Sequence, residues 1–110
     1  MKLLVTYLRS EQLPAVKRHL FQAEIRNMTV IPVMGTAPKT EQQMFRGVLR
    51  EVELLRRVRV EVAVHDSSLG TAIDAISQGA KEVGGYGKIF VTELQDVITI
   101  WTGERGEGAL

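Results

Sequence analysis

The chain contains no cysteine. Disulfides, thiolate-bound zinc and thiol nucleophiles are therefore excluded. Histidine is scarce as well, limited to His19 and His65. Neither lies in an HExxH or His-rich spacing able to build a metal site. Serines and carboxylates show no nucleophile–base grouping, so no catalytic residue, resident metal or required cofactor is expected. No apolar run approaches the ~20 residues needed to span a bilayer. Leu3-Leu4-Val5 gives way at once to Arg9-Ser10-Glu11-Gln12, which reads as a first strand and not as a signal peptide. The expected location is cytoplasmic, without membrane insertion. Charge of one sign is missing too: 14 basic residues face 13 acidic ones, a net charge of +1. That balance argues against a general nucleic-acid binder.

What is present fits one domain over residues 1–110. A chain this short buries only about 60–70% of its unfolded surface, so it gains stability from an oligomeric partner. Residues 2–8 read as a strand, with Leu3, Val5 and Tyr7 on one side and Leu4, Thr6 and Leu8 on the other. Ser10 can cap a helix with Pro14 in its first turn and a stripe of Leu13, Val16, Leu20 and Ala23. Residues 28–34 form a second strand, and Pro32 suits an edge because it donates no ladder hydrogen bond. Val58, Val60, Val62 and Val64 alternate with Arg59, Glu61, Ala63 and His65, the period-two signature of a third strand. Asp66 or Ser67 caps a second helix carrying Leu69, Ala72, Ile73, Ile76 and Ala80. Strands at 88–94 and 96–101 follow.

The order strand, helix, strand, strand, helix, strand is the split βαβ arrangement of an α+β, ferredoxin-like fold. Two helices cover one face of such a sheet, yet the strands carry apolar residues on both, including Ile98 and Trp101 on the last. An apolar face that wide calls for burial by self-association. Between strands two and three, Met44, Val48, Val52 and Leu55 fall at helical spacing, interleaved with Arg and Glu. By periodicity alone this is a third helix, penalised by about 1 kcal/mol for Gly47. The arginines Arg46, Arg50, Arg56, Arg57 and Arg59 make either a solvated, salt-bridged face or a docking surface for an acidic or carbonyl-rich partner.

The segment Gly84-Gly85-Tyr86-Gly87-Lys88-Ile89-Phe90-Val91 is the most informative in the chain. It is not a Walker A loop, because Glu82 and Ile89 stand where that motif needs a glycine and a hydroxyl residue. Successive amides can nonetheless form an anion-binding nest, with Lys88 adding a point charge. Together with Met28-Thr29-Val30, Phe45-Arg46-Gly47 and Val97-Ile98-Thr99-Ile100-Trp101-Thr102-Gly103-Glu104, it resembles the PII family of nitrogen-regulatory signal proteins over nearly the whole chain.

The resemblance implies a homotrimer with an adenine nucleotide in each cleft between subunits. It assigns effector contacts to Thr29, Gly35, Thr36, Glu61, Ala63, Gly85, Tyr86, Gly87 and Lys88. It also implies a long flexible loop, the T-loop, over residues 35–57, which meets a membrane transporter or metabolic enzyme through Phe45, Arg46, Arg50 and Arg57. Thr99 and Trp101 stand where the family has two phosphate-gripping arginines. That change favours ADP, AMP or cyclic AMP over Mg-ATP with 2-oxoglutarate. Trp101 is then left either to stack on a base or to fill the trimer core. Pro38 stands at or near the glutamine that helps hold magnesium and 2-oxoglutarate. Arg50 stands near the tyrosine that many members modify by nucleotide transfer. The chain is thus identified as a divergent PII-like regulator of nitrogen or carbon metabolism or transport. Alternatives are a regulator of metal efflux or bicarbonate uptake, and an effector-free structural trimer.

Overall fold

The structure is a computed structural model and describes residues 1–36, 44–45, 48–49 and 54–110. Strand β1 runs Lys2–Leu8, helix α1 Leu13–Gln22, β2 Met28–Thr36, β3 Met44–Phe45, β4 Val48–Leu49, β5 Leu54–Val64, α2 Leu69–Lys81 and β6 Ile89–Glu93. Four of these strands form an antiparallel sheet in the order β2-β5-β1-β6, the ferredoxin-like arrangement that the element order predicts. The two long strand runs on either side of the T-loop pair further than the sequence suggests. Gly35 faces Leu55 and Thr36 faces Leu54, so both ends of the 35–57 stretch belong to a β-ribbon. Within that stretch, Met44–Phe45 pairs with Val48–Leu49 as a short ladder. Cross-strand pairing therefore replaces helical periodicity at the described positions of the third-helix alternative.

The alternation in β5 sorts its side chains cleanly. Val60, Val62 and Val64 are buried beneath the helices, together with Leu4 and Leu8 of β1, Val16 and Leu20 of α1, and Ala72 and Ile76 of α2. Each fully buried valine or leucine contributes about 1.5–3 kcal/mol of transfer free energy. Helices α1 and α2 cross where Gly79 has no side chain: a Cβ there would lie 2.5 Å from the Cα of Val16. Pro32 sits on β2, an edge strand, where its missing N–H is tolerated.

Among the described residues, no helix covers the other sheet face. Tyr7, Ile31 and Phe90 are exposed there, and Tyr7 meets Phe90 edge-on at 6.2 Å. The Arg59 guanidinium lies 5.8 Å from the Tyr7 ring centre, donating from Nη1 to the tyrosine hydroxyl and from Nε to Glu61.

Three sequence expectations need correction. Ser10 does not cap α1 with its side chain. A short 3-10 turn at Ser10–Gln12 precedes the helix, and the buried Gln12 Oε1 accepts the Arg9 backbone N–H instead. Neither Asp66 nor Ser67 caps α2, because the Asp66 carboxylate is taken up by the Met1 ammonium at 2.8 Å. Finally, residues 96–101 are not a strand. Asp96 draws the chain back on itself, accepting from the Val97 and Gly106 amides and from the Arg105 guanidinium. Thr99 and Glu104 close the resulting turn, with Gly103 at φ +75°. Ile98 makes only an isolated bridge to Arg105, while Ile100 and Trp101 stand at the tip, Trp101 94% exposed. Trp101 therefore fills no core within the subunit.

Candidate functional site

Helix α2 ends in the glycine cluster, and its closure decides which amides remain available. Gly84, Gly85 and Gly87 hold φ of +110°, +65° and +129°, conformations that a Cβ would strain. The Gly85 amide donates to the Ala80 carbonyl at 2.9 Å, a Schellman-type closure of the helix. That amide is accordingly unavailable to a ligand, contrary to the simple view of a wholly free glycine cluster. The amides of Tyr86, Gly87 and Lys88 take no backbone partner among the described residues.

Two residues with no functional signal in the sequence fix this turn. The buried Thr6 hydroxyl donates to the Lys88 carbonyl at 2.8 Å. Arg9 Nη2 donates to the Val83 carbonyl at 2.6 Å, and its guanidinium lies directly behind Gly84. The only hint in the chain is a polar Thr6 interrupting the otherwise apolar run of Leu4 and Leu8 on the helix-facing side of β1. Gly85, Tyr86, Gly87 and Lys88 come together at the rim of a cavity of about 170 Å³ between the end of α2 and the start of β6.

The remaining effector candidates lie elsewhere. Thr29 is exposed on β2 and pairs in register with Glu61 of β5. Glu61 accepts from Arg59, and the Ala63 carbonyl accepts from Asn27 Nδ2 at 2.7 Å. Gly35 and Thr36 sit farther along β2. Among the described residues a Cβ at Gly35 would meet only the Arg57 side chain at 3.9 Å, so their packing does not demand glycine there. In the sheet order, β6 and β2 are the two opposite edges. The candidates thus form two groups: Gly85–Lys88 beside β6, and Thr29, Gly35 and Thr36 on β2, with Glu61 and Ala63 on the adjoining strand.

Of the partner-loop candidates, Phe45 lies in β3 opposite Val48. Arg57 lies in β5, its Nη1 donating to the Arg56 carbonyl. Arg46 and Arg50 fall outside the described residues.

Both histidines face carboxylates: His65 Nδ1 lies 2.6 Å from Glu107, and His19 Nε2 lies 3.3 Å from Glu82, which Arg18 also engages. The Glu107 carboxyl titrates below its ordinary range chiefly because of the hydrogen bond with His65, and the Glu82 carboxyl does so because His19 and then Arg18 lie beside it. Among the described residues, no group of three His, Asp or Glu is placed to hold a metal, and no helix is long and apolar enough to cross a membrane.

The sequence profile described as "Nitrogen regulatory protein P-II" matches residues 1–104. The chain belongs to the P-II family. Nitrogen regulatory protein GlnK1 of Methanosarcina mazei is 40% identical, an alignment covering all of this chain and 97% of the relative. Nitrogen regulatory protein GlnK of Escherichia coli K12 is 38% identical over the full length of both chains. The P-II protein of Azospirillum brasilense is 36% identical with the same coverage. As a P-II protein, this chain is a PII-like nitrogen-regulatory, signal-transducing protein on a ferredoxin-like fold.

Proposed function

We propose that this P-II protein is a cytoplasmic homotrimeric regulator that binds an adenine nucleotide in clefts between subunits and signals to a partner protein through its T-loop. The observation that carries this reading is the division of the effector candidates between opposite sheet edges. Neither group alone includes all the candidates, whereas juxtaposing the β6 edge of one copy with the β2 edge of the next would bring them together. A second copy is also what the exposed Tyr7, Ile31 and Phe90 call for.

The mechanism requires no bond breaking. The Tyr86, Gly87 and Lys88 amides and the Lys88 ammonium would hold phosphate oxygens. Thr29, Glu61 and Ala63 of the neighbour would read the base, partly through backbone groups. Gly35 and Thr36 lie where β2 enters the T-loop, so a ligand touching them bears on how that loop is held. Its two arrangements must bind the ligand with different affinity for any signal to pass. Thr99 and Trp101 add no cation, which favours ADP, AMP or cyclic AMP over Mg-ATP with 2-oxoglutarate. The target class is a membrane transporter or metabolic enzyme, contacted through Phe45, Arg46, Arg50 and Arg57.

Thermal unfolding with each nucleotide tests the reading. A ligand at a hundredfold its dissociation constant adds about 2.7 kcal/mol, and Lys88→Ala is expected to remove the shift. A melting temperature unmoved by all of them, with or without magnesium, would overturn it.

A further inference from the structure

Two lysines, not one, border the cavity under the glycine turn. Lys88 arrives at the mouth of β6, while Lys81 comes from the last turn of α2. The Lys81 stem runs against the turn itself: a Cβ on Gly85 would lie 3.4 Å from both its Cα and its Cγ. Neither lysine has an ion-pair partner among the described residues, whereas Lys2, Arg9, Arg18, Arg59 and Arg105 are each matched with a carboxylate. No Asp or Glu lines the cavity, and the hydroxyl-bearing Thr6 and Ser77 do. Two unpaired ammonium groups, free amides and no carboxylate make this a locally cationic pocket in a chain of net charge +1.

A bland account exists for Lys81: a cation in the last helical turn interacts favourably with the helix dipole. The dipole and the Gly85–Ala80 closure account for its place on α2 and beside the glycine turn, but not for a cavity that it shares with Lys88 and that no Asp or Glu lines. From these observations we propose that Lys81 is a second phosphate-binding cation of the effector site. It acts with Lys88 to hold a ligand carrying two adjacent phosphate groups. The inference rests on the nucleotide reading given above and sharpens it to a diphosphate. A diphosphate carries more charge and more oxygens than a single phosphoryl group, and so matches two ammonium groups beside three amides more fully. In a diphosphate, the phosphate nearer the nucleoside meets the Gly87 and Lys88 amides, and the outer one bridges Lys88 and Lys81.

Isothermal titration of the intact protein with ADP, AMP and inorganic pyrophosphate, at two salt concentrations, provides the test. The variants are Lys81→Gln, which keeps most of the stem, Lys81→Arg, and Lys88→Ala. Wild type is expected to prefer ADP over AMP, and Lys81→Gln to weaken ADP by about tenfold to a hundredfold, the range of one charge-assisted contact. AMP affinity should change by less than about threefold, and Lys81→Arg should restore most of the loss. The salt dependence of ADP binding should become shallower in Lys81→Gln. Pyrophosphate binding that is also lost in Lys81→Gln would locate the effect in the phosphates and not the nucleoside.

If ADP binds wild type and Lys88→Ala abolishes it while Lys81→Gln leaves it unchanged, the Lys81 role is overturned and the nucleotide reading stands. An equal loss of ADP and AMP in Lys81→Gln also overturns the diphosphate assignment. If no nucleotide binds wild type, both fail together. Circular dichroism of each variant separates these outcomes from a frayed α2, which would lower helicity as well as affinity.

Discussion

Replacing Gly79 with alanine probes the contact that holds the two helices over the sheet. The added Cβ would lie 2.5 Å from Val16 Cα, 2.7 Å from Val16 N and 2.9 Å from the Ala15 carbonyl carbon. Comfortable separations between carbons are about 3.5–4.0 Å, so the helices must part by roughly 1 Å at the crossing. All three obstructing atoms are backbone, so no rotamer change can relieve them. Overpacking of a close-packed core costs about 1–3 kcal/mol, and an unyielding backbone puts Gly79→Ala near the top of that range. Alanine's better helix propensity returns about 1 kcal/mol. The net loss is about 2 kcal/mol, a fall in Tm of roughly 8–16 °C for a domain this size. Urea unfolding at fixed protein concentration measures it, because an oligomer's apparent stability depends on concentration. Gly70→Ala in the same helix is the control: nothing lies within 4 Å of its added Cβ, and the change should be neutral or stabilising by up to about 1 kcal/mol. A Gly79→Ala protein as stable as wild type would show that the helices do not meet there.

Other perturbations follow from the same structure. Thr6→Val keeps the shape of β1 but strips the Lys88 carbonyl of its donor, and should cost about 1–3 kcal/mol in urea unfolding. Trp101→Ala should change stability by no more than about 0.5 kcal/mol, given 94% exposure of that side chain in the subunit. A large loss would mean the tip is buried on assembly. The pH profile of the unfolding midpoint should fall on both sides of neutrality. Asp96, held by the Arg105 guanidinium, and Asp66, bonded by the Met1 ammonium, titrate below their ordinary range. Their contribution is complete above about pH 4 and lost as the pH drops through the lowered folded values. The Met1 ammonium titrates above its ordinary value because Asp66 accepts its hydrogen bond. Its contribution is present below about pH 8 and lost as the pH rises past the raised value. Asp66→Asn should flatten both limbs, and an unchanged profile would contradict the assignment.

Much of the fold was legible because strong local signals agreed with one another. The valine alternation in β5 and the apolar stripes of α1 and α2 each specify one buried face, and Pro32 marks an edge. The last segment was misread for a physical reason. Val97 to Trp101 has strand-like composition, but the Asp96 carboxylate gathers the amides and guanidinium that follow it into a turn. Composition carries no sign of such long side-chain reach. The capping assignments failed similarly, since Asp66 engages the Met1 ammonium 65 residues away. At the candidate site, Gly85 to Lys88 was visible as a motif. Its supports, Thr6 and Arg9, lie more than seventy residues earlier in the chain and become neighbours only through the pairing of β1 with β6.

The central claim is that two copies each supply half of an effector site, and mixing experiments test it most directly. Lys88→Ala disables the phosphate-holding half beside β6, and Thr29→Glu puts a larger, charged side chain where the half on β2 reads the base. Each variant alone should bind no nucleotide in equilibrium titration. Unfolded together in equal amounts and refolded, they should regain about one quarter of the wild-type sites, the chance that an intact half meets an intact half in a cyclic assembly. No recovery in mixed oligomers of correct mass would contradict a site shared between subunits.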